Sequence, residues 1–201
     1  VNTELVSEAE TPKSIEDYLD PKWKGKIAWV AALGGGGPPV YVAAILQRLG
    51  EDKGRAYLKK LAQQNMVKVP SNQRVVMDQV IAGQYPLALM TFHHHAYISQ
   101  QKKAPVKWVA IDPVTSAIDS VLILKKAPHP NAAKLFTEFA LSVDGAKIVS
   151  DALYVPAHPD VKPIVPLVPV TSTGQPPITF SQDTQDANMD QWIKIYQEIF
   201  G

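Results

Sequence analysis

The chain has 201 residues, of which 46% are apolar and 19% charged, with a formal net charge of +1 and no cysteine. Such a composition can bury a core of ordinary size, and it excludes thiol catalysis, disulfides and thiolate metal sites. The small net charge argues against bulk nucleic-acid or membrane-surface binding, and no apolar run reaches bilayer-spanning length.

From the start, residues 1–5 have an extended character, and no leader pattern is present; a chain beginning at Val1 reads as a processed or truncated product. Ser14 and Asp17 have the spacing of a capping box, so a short helix is expected there, ended by Asp20-Pro21. Residues 26–32 form an apolar strand that runs into Gly34-Gly35-Gly36-Gly37 and Pro38-Pro39. Val40, Tyr41, Ala44, Ile45 and Leu49 then repeat at helical spacing, with Gly50 as the stop. Proline suits the first turn of a helix, where its missing N–H would have no partner anyway.

A second helix is expected over 51–64, and a short strand over 66–69. Ser71 or Asn72 can cap a third helix over 73–82, which Gly83 closes. Residues 86–92 read as a central apolar strand that ends in His93-His94-His95, followed by a helix over 96–103. Further strands are expected over 106–111 and 120–124, and helices over 132–141 and 143–150. Residues 154–177 are rich in proline and irregular. The last helix, over 186–200, carries Met189, Trp192, Ile193, Tyr196 and Ile199 on one face.

This alternation predicts an α/β fold, with a mixed or mostly parallel sheet flanked by helices. Ligands of such sheets bind beyond the C-terminal ends of the strands. Candidate junctions of that kind are Gly34–Gly37, Ser71-Asn72 and His93–His95. At a helix N-terminus, unpaired N–H groups and the positive end of the helix dipole favour an anion. The same glycines also serve simply as a flexible turn.

Residues 12–27, Pro-Lys-Ser-Ile-Glu-Asp-Tyr-Leu-Asp-Pro-Lys-Trp-Lys-Gly-Lys-Ile, resemble a signature of bacterial extracellular solute-binding proteins of ABC importers, of the ferric-iron type. Residues 127–136 (Ala-Pro-His-Pro-Asn-Ala-Ala-Lys-Leu-Phe), the Leu141-Ser142-Val143-Asp144-Gly145 turn and Asn2-Thr3 resemble further motifs of that group, in the same order. The resemblance implies the periplasmic binding protein-like II fold, with two α/β lobes and the ligand in the cleft between them. It also implies a truncated two-lobe architecture whose missing part lies before Val1. On that reading, residues 1–111 are the second ligand-binding lobe. Residues 112–155 return to the first lobe, and residues 156–201 are a proline-rich tail and a helix packing on the second lobe.

The resemblance aligns His93, His94 and His95 with the place where ferric members carry adjacent tyrosines, and this sequence has no Tyr-Tyr pair. Phenolates suit Fe³⁺, whereas imidazoles suit other transition metals or donate hydrogen bonds to an anion. The expected ligand set is Gly34, Gly35, Gly36, Gly37, Tyr41, Ser71, Asn72, Gln73, Arg74, His93, His94 and His95, with His94 and His95 as candidate ligands of a metal such as iron. The other readings are Tyr41 as a core residue, Ser71 and Asn72 as plain caps, and the histidines as a solvated strand end.

The expected function is capture of a small anion, or a metal ion or complex, for an ABC permease in the inner membrane. The bound group would be an oxyanion or a metal ion. No catalysis and no nucleic-acid partner are expected, and self-association through the incomplete lobe is. The expected location is periplasmic, or extracellular and membrane-tethered in a Gram-positive. The alternatives are a hydrolase built on Ser71, Asp78 and a histidine, or an organic-acid receptor without metal. No G-x-S-x-G elbow, H-E-x-x-H motif or phosphate loop supports catalysis.

Overall fold

A computed structural model describes residues 1–33, 37–165 and 171–201. The chain divides into two compact units: residues 1–117 with 168–201, and residues 118–167.

The first unit is built on a parallel sheet of order β2-β1-β3, with β1 Ile27–Val30, β2 Val67–Val69 and β3 Leu87–Ala88. Ala28 stands opposite Val67 on one side and Ala88 on the other. Ile27, Ala28, Trp29 and Val30 are all buried, as expected for the middle strand of a sheet covered on both faces. The strand's alternation sorts these residues. Ile27 and Trp29 join the large core, with Tyr41, Ile45, Leu58, Tyr196 and Phe200. Ala28 and Val30 pack with Val69 and Val76 on the opposite face.

The large core is covered by α1 Pro38–Leu49, α2 Glu51–Ala62 and α7 Gln182–Phe200, and the other face by α3 Gln73–Ile81. Trp29 is the pivot of the α7 contact, with its ring 5.6 Å from that of Tyr196 and 5.0 Å from that of Phe200. Such tilted arrangements suit the aromatic quadrupole. The N-terminal segment is stitched on by buried Asn2, whose amide donates to the Val80 carbonyl and whose oxygen accepts from Glu4 and Leu5 N–H.

The second unit is a helical hairpin, α5 Pro130–Leu141 and α6 Val143–Asp151, followed by a segment that Ser150 pins through Lys162 and Ile164. α4 (His93–Gln101) and the paired strands β4 (Thr115–Ser116) and β5 (Ile178–Thr179) complete the described elements of the first unit.

Several expectations need correction. Residues 106–111 form no strand beyond a single bridge between Asn2 and Val106. Residues 120–124 form no strand, because among the described residues no strand pairs with them. The 86–92 strand stops at Ala88, and Met90 turns the chain with φ +61°. The final helix starts four residues early, at Gln182, where Ser181 caps it. The capping-box residue Asp17 does reach back to the Lys13 and Ser14 N–H groups, but the turn that follows is 3-10, over Glu16–Leu19.

Candidate functional site

Because β1, β2 and β3 are parallel, their C-terminal ends share one edge of the sheet. Each strand is followed by a helix, so the N-termini of α1, α3 and α4 all issue from that edge. Gly37 caps α1, with Pro38 and Pro39 in its first turn. Gly34, Gly35 and Gly36 lie outside the described residues.

At α3 the cap is Asn72. Its side-chain oxygen accepts from the Arg74 and Val75 N–H groups at 3.0 and 3.1 Å, while half-buried Ser71 precedes it. Gln73 and Arg74 open the helix. The Arg74 guanidinium pairs with Asp78 and also donates to Ser99 Oγ at 3.1 Å and, more loosely, to the His95 carbonyl at 3.5 Å. Arg74 therefore ties the start of α3 to α4, while its ion pair with Asp78 stays open to solvent.

His93, His94 and His95 are not a strand end. They are the first turn of α4, with Phe92 at its cap. Successive residues on a helix start about 100° apart, yet the rings of His94 and His95 meet at 4.3 Å over the helix start. His93 lies 4.7 Å from the ring of Trp108, and His94 stacks on Phe92 at 5.5 Å. His95 sits edge-on to both Phe92 and His94. All five rings are half-buried. Trp108 is held by its own Nε1 bond to the Thr91 carbonyl, 3.1 Å.

The site is apolar enough to disfavour imidazolium. Burial pulls His93 below its ordinary pKa, and burial, then the charges of His94 and Arg74, bring His95 down to about 4. At neutral pH both rings are uncharged donors and acceptors. The Nδ1 of His95 is shut away from solvent without a hydrogen-bond partner.

Tyr41 leaves the expected ligand set. It is buried in the large core, and its hydroxyl meets that of Tyr57 at 3.2 Å, which in turn donates to the Ile15 carbonyl. One turn into α1, its side chain falls on the face that packs against α2 rather than toward the helix start. Among the described residues, no group of three or more His, Asp or Glu is placed to hold a metal ion. The rings of His94 and His95 meet edge-on at 4.3 Å, with no third His, Asp or Glu beside them among the described residues. Sequence reasoning missed Phe92 and Trp108. An aromatic residue directly before the histidine run was the available signal for the first; Trp108 is distant in sequence and offered none.

A parallel sheet feeding helix N-termini at one edge is an α/β arrangement, and the fold is that of periplasmic binding proteins among solved structures. Residues 1–169 match the family described as bacterial extracellular solute-binding protein, and the chain belongs to that family. It is 32% identical over 101 residues to the Fe(3+)-binding periplasmic protein of Serratia marcescens, an alignment covering 50% of this chain and 28% of that one. It is 25% identical over 185 residues to the major ferric iron-binding protein of Neisseria gonorrhoeae, covering 89% and 55%. Among solved structures it resembles the periplasmic binding protein AfuA from Actinobacillus pleuropneumoniae with exogenous fructose-6-phosphate bound. That match has a TM-score of 0.69 and 22% identity, and covers 98% of this chain and 65% of that one. The chain thus spans less than two thirds of the length of these relatives. All three carry the names of binding proteins, not of enzymes.

Proposed function

We propose that this chain is the ligand-bearing part of a solute-binding component of a bacterial ABC importer. Such a component works in the periplasm, or outside the cell and tethered to the membrane in a Gram-positive, and hands its ligand to a permease in the inner membrane. The first unit carries the ligand edge. The second unit belongs to the segments that return to the other lobe. In support, the second unit leaves large apolar side chains open to solvent, Leu122 at 81% and Phe136 at 63% among them, as a lobe short of part of its chain would. The mechanism is hinge closure of two lobes around the ligand.

The ligand we favour is a small anion, organic rather than a bare ferric ion. The observation that carries this choice is the cluster of rings on the first turn of α4. It presents neutral imidazoles and aromatic faces at a helix N-terminus, with no tyrosine pair in the sequence and, among the described residues, no carboxylate cluster to hold Fe³⁺. A metal ion or complex remains the alternative suggested by the names of the curated relatives. A Ser71-based hydrolase is disfavoured, because Asp78 is engaged by Arg74 and not by a histidine.

The test is calorimetry on the whole protein containing this chain, with inorganic phosphate, fructose 6-phosphate and ferric citrate as probes. Binding of fructose 6-phosphate in preference to inorganic phosphate, weakened roughly 10- to 100-fold by His95→Ala through loss of one hydrogen bond to a charged group, is the expected result. Binding confined to the ferric probe, and abolished by chelator, would sink the organic-anion reading.

A further inference from the structure

The chain leaves the first unit after residue 117 and re-enters it at residue 168. The described parts of these two connections inside the first unit are bound to each other and to one side chain of α1. Arg48, in the last turn of α1, pairs with Asp112 at 3.0 Å. The same guanidinium donates to the Pro176 carbonyl at 3.0 Å and, at the limit of reach, to Gln175 Oε1 at 3.5 Å. It therefore touches the outgoing segment and the returning one together.

Around that contact the two segments are cross-linked. Asp112 accepts from Thr171 Oγ1 at 3.0 Å, and its N–H donates to Ser172 Oγ at 3.2 Å. Ser172 N–H donates to the Ala110 carbonyl, and Ile178 N–H to that of Val114. The parallel β4–β5 pair follows directly. Asp112 is only 6% exposed at its side chain and Arg48 21%, so the pair is sheltered. Removing one member of such a pair leaves the other buried and uncompensated, unlike an ion pair in open water.

We propose that Arg48 fixes where the hinge begins: it locks both connecting segments to the end of α1, so that bending starts beyond Ser116 on the outgoing chain. The hinge rests on the proposed binding function, but the lock that Arg48 makes on the two segments does not.

The experiment is residue-resolved amide exchange on the whole protein, without ligand, comparing wild type with Arg48→Met, Arg48→Lys and Asp112→Asn. With Arg48→Met, the Ser172 and Ile178 amides should exchange at least about tenfold faster, while the sheet amides of Trp29 and Leu89 stay at the wild-type rate. Arg48→Lys keeps the charge but loses the planar fork and should give a smaller, local increase. Arg55→Met, which breaks an exposed pair with Glu51, is the control and should leave Ser172 and Ile178 unchanged. Wild-type exchange at Ser172 and Ile178 in Arg48→Met overturns the proposal, and so does equal acceleration of Trp29 and Leu89. Should Arg48→Met fail to fold, Asp112→Asn, which preserves shape and the Thr171 acceptor, carries the same two outcomes. Because no ligand is used, failure here is separate from failure of the binding function.

Discussion

His95 shows how a residue's chemistry follows from its neighbours. Its ring is buried against Phe92 and His94, and the charges of His94 and Arg74 add to that burial, so the folded protein holds it neutral down to about pH 4. The unfolded chain takes up that proton near the ordinary value of 6.5. Between these values the unfolded state binds more protons, so stability falls as pH drops through this window and is fully present above it. Replacing His95 by Gln removes the titration. The melting temperature of His95→Gln should therefore drop less between pH 7 and pH 4.5 than that of wild type. An equal drop in both proteins would show that His95 is not the group responsible. The sequence signalled that three histidines follow an apolar stretch, but not their ionisation. That comes first from burial and, for His95, then from His94 and from Arg74, which tertiary folding brings to it.

At the scale of elements, local chemistry was a good guide wherever one turn decides the outcome. Asn72 caps α3, Ser142 caps α6, and the prolines at 38 and 39 open α1, all as their side chains dictate. The α5–α6 corner shows why the Leu141–Gly145 motif ends in glycine. Ser142 Oγ accepts from Gly145 N–H at 3.2 Å and donates to the Phe139 carbonyl at 2.6 Å, which folds the chain tightly on itself. A Cβ on Gly145 would lie 2.2 Å from that carbonyl oxygen. Gly145→Ala should thus cost about 1–3 kcal/mol by forcing backbone movement, read by chemical denaturation; a loss under about 0.5 kcal/mol would mean that the corner opens freely. Elements that depend on distant partners were less legible. Residues 120–124 have the β-branched, apolar look of a strand, yet nothing in the described chain pairs with them. The histidine run failed for a related reason: β3 ends after two residues, and Met90 breaks the strand that composition alone would have prolonged.

The whole molecule is uneven. The first unit buries a contiguous core around Trp29, and truncating that indole to alanine should cost about 3–5 kcal/mol. The second unit shows little of this. α5 has no buried residue, and Leu135, Phe136 and Phe139 are exposed. An apolar surface of that kind invites association. The isolated 201-residue chain should accordingly bind a hydrophobic dye and self-associate in sedimentation experiments, while the whole protein does neither. A monomeric, dye-silent isolated chain would show that the second unit needs no further covering.

By itself, the sequence determined the class of fold, the order of most elements, their caps and the family. These follow from periodicity, from turn residues and from motifs read along a few consecutive positions. Only the tertiary structure decided which residues share the C-terminal edge of the sheet, that Tyr41 faces the core, and that Arg48 meets Asp112 and Pro176 across the chain. The reason is distance along the chain. A cap or a turn is settled by atoms a few bonds away, whereas a ring on Trp108 or a carboxylate on Asp112 acquires its role only when folding brings it to a partner that local pattern does not encode.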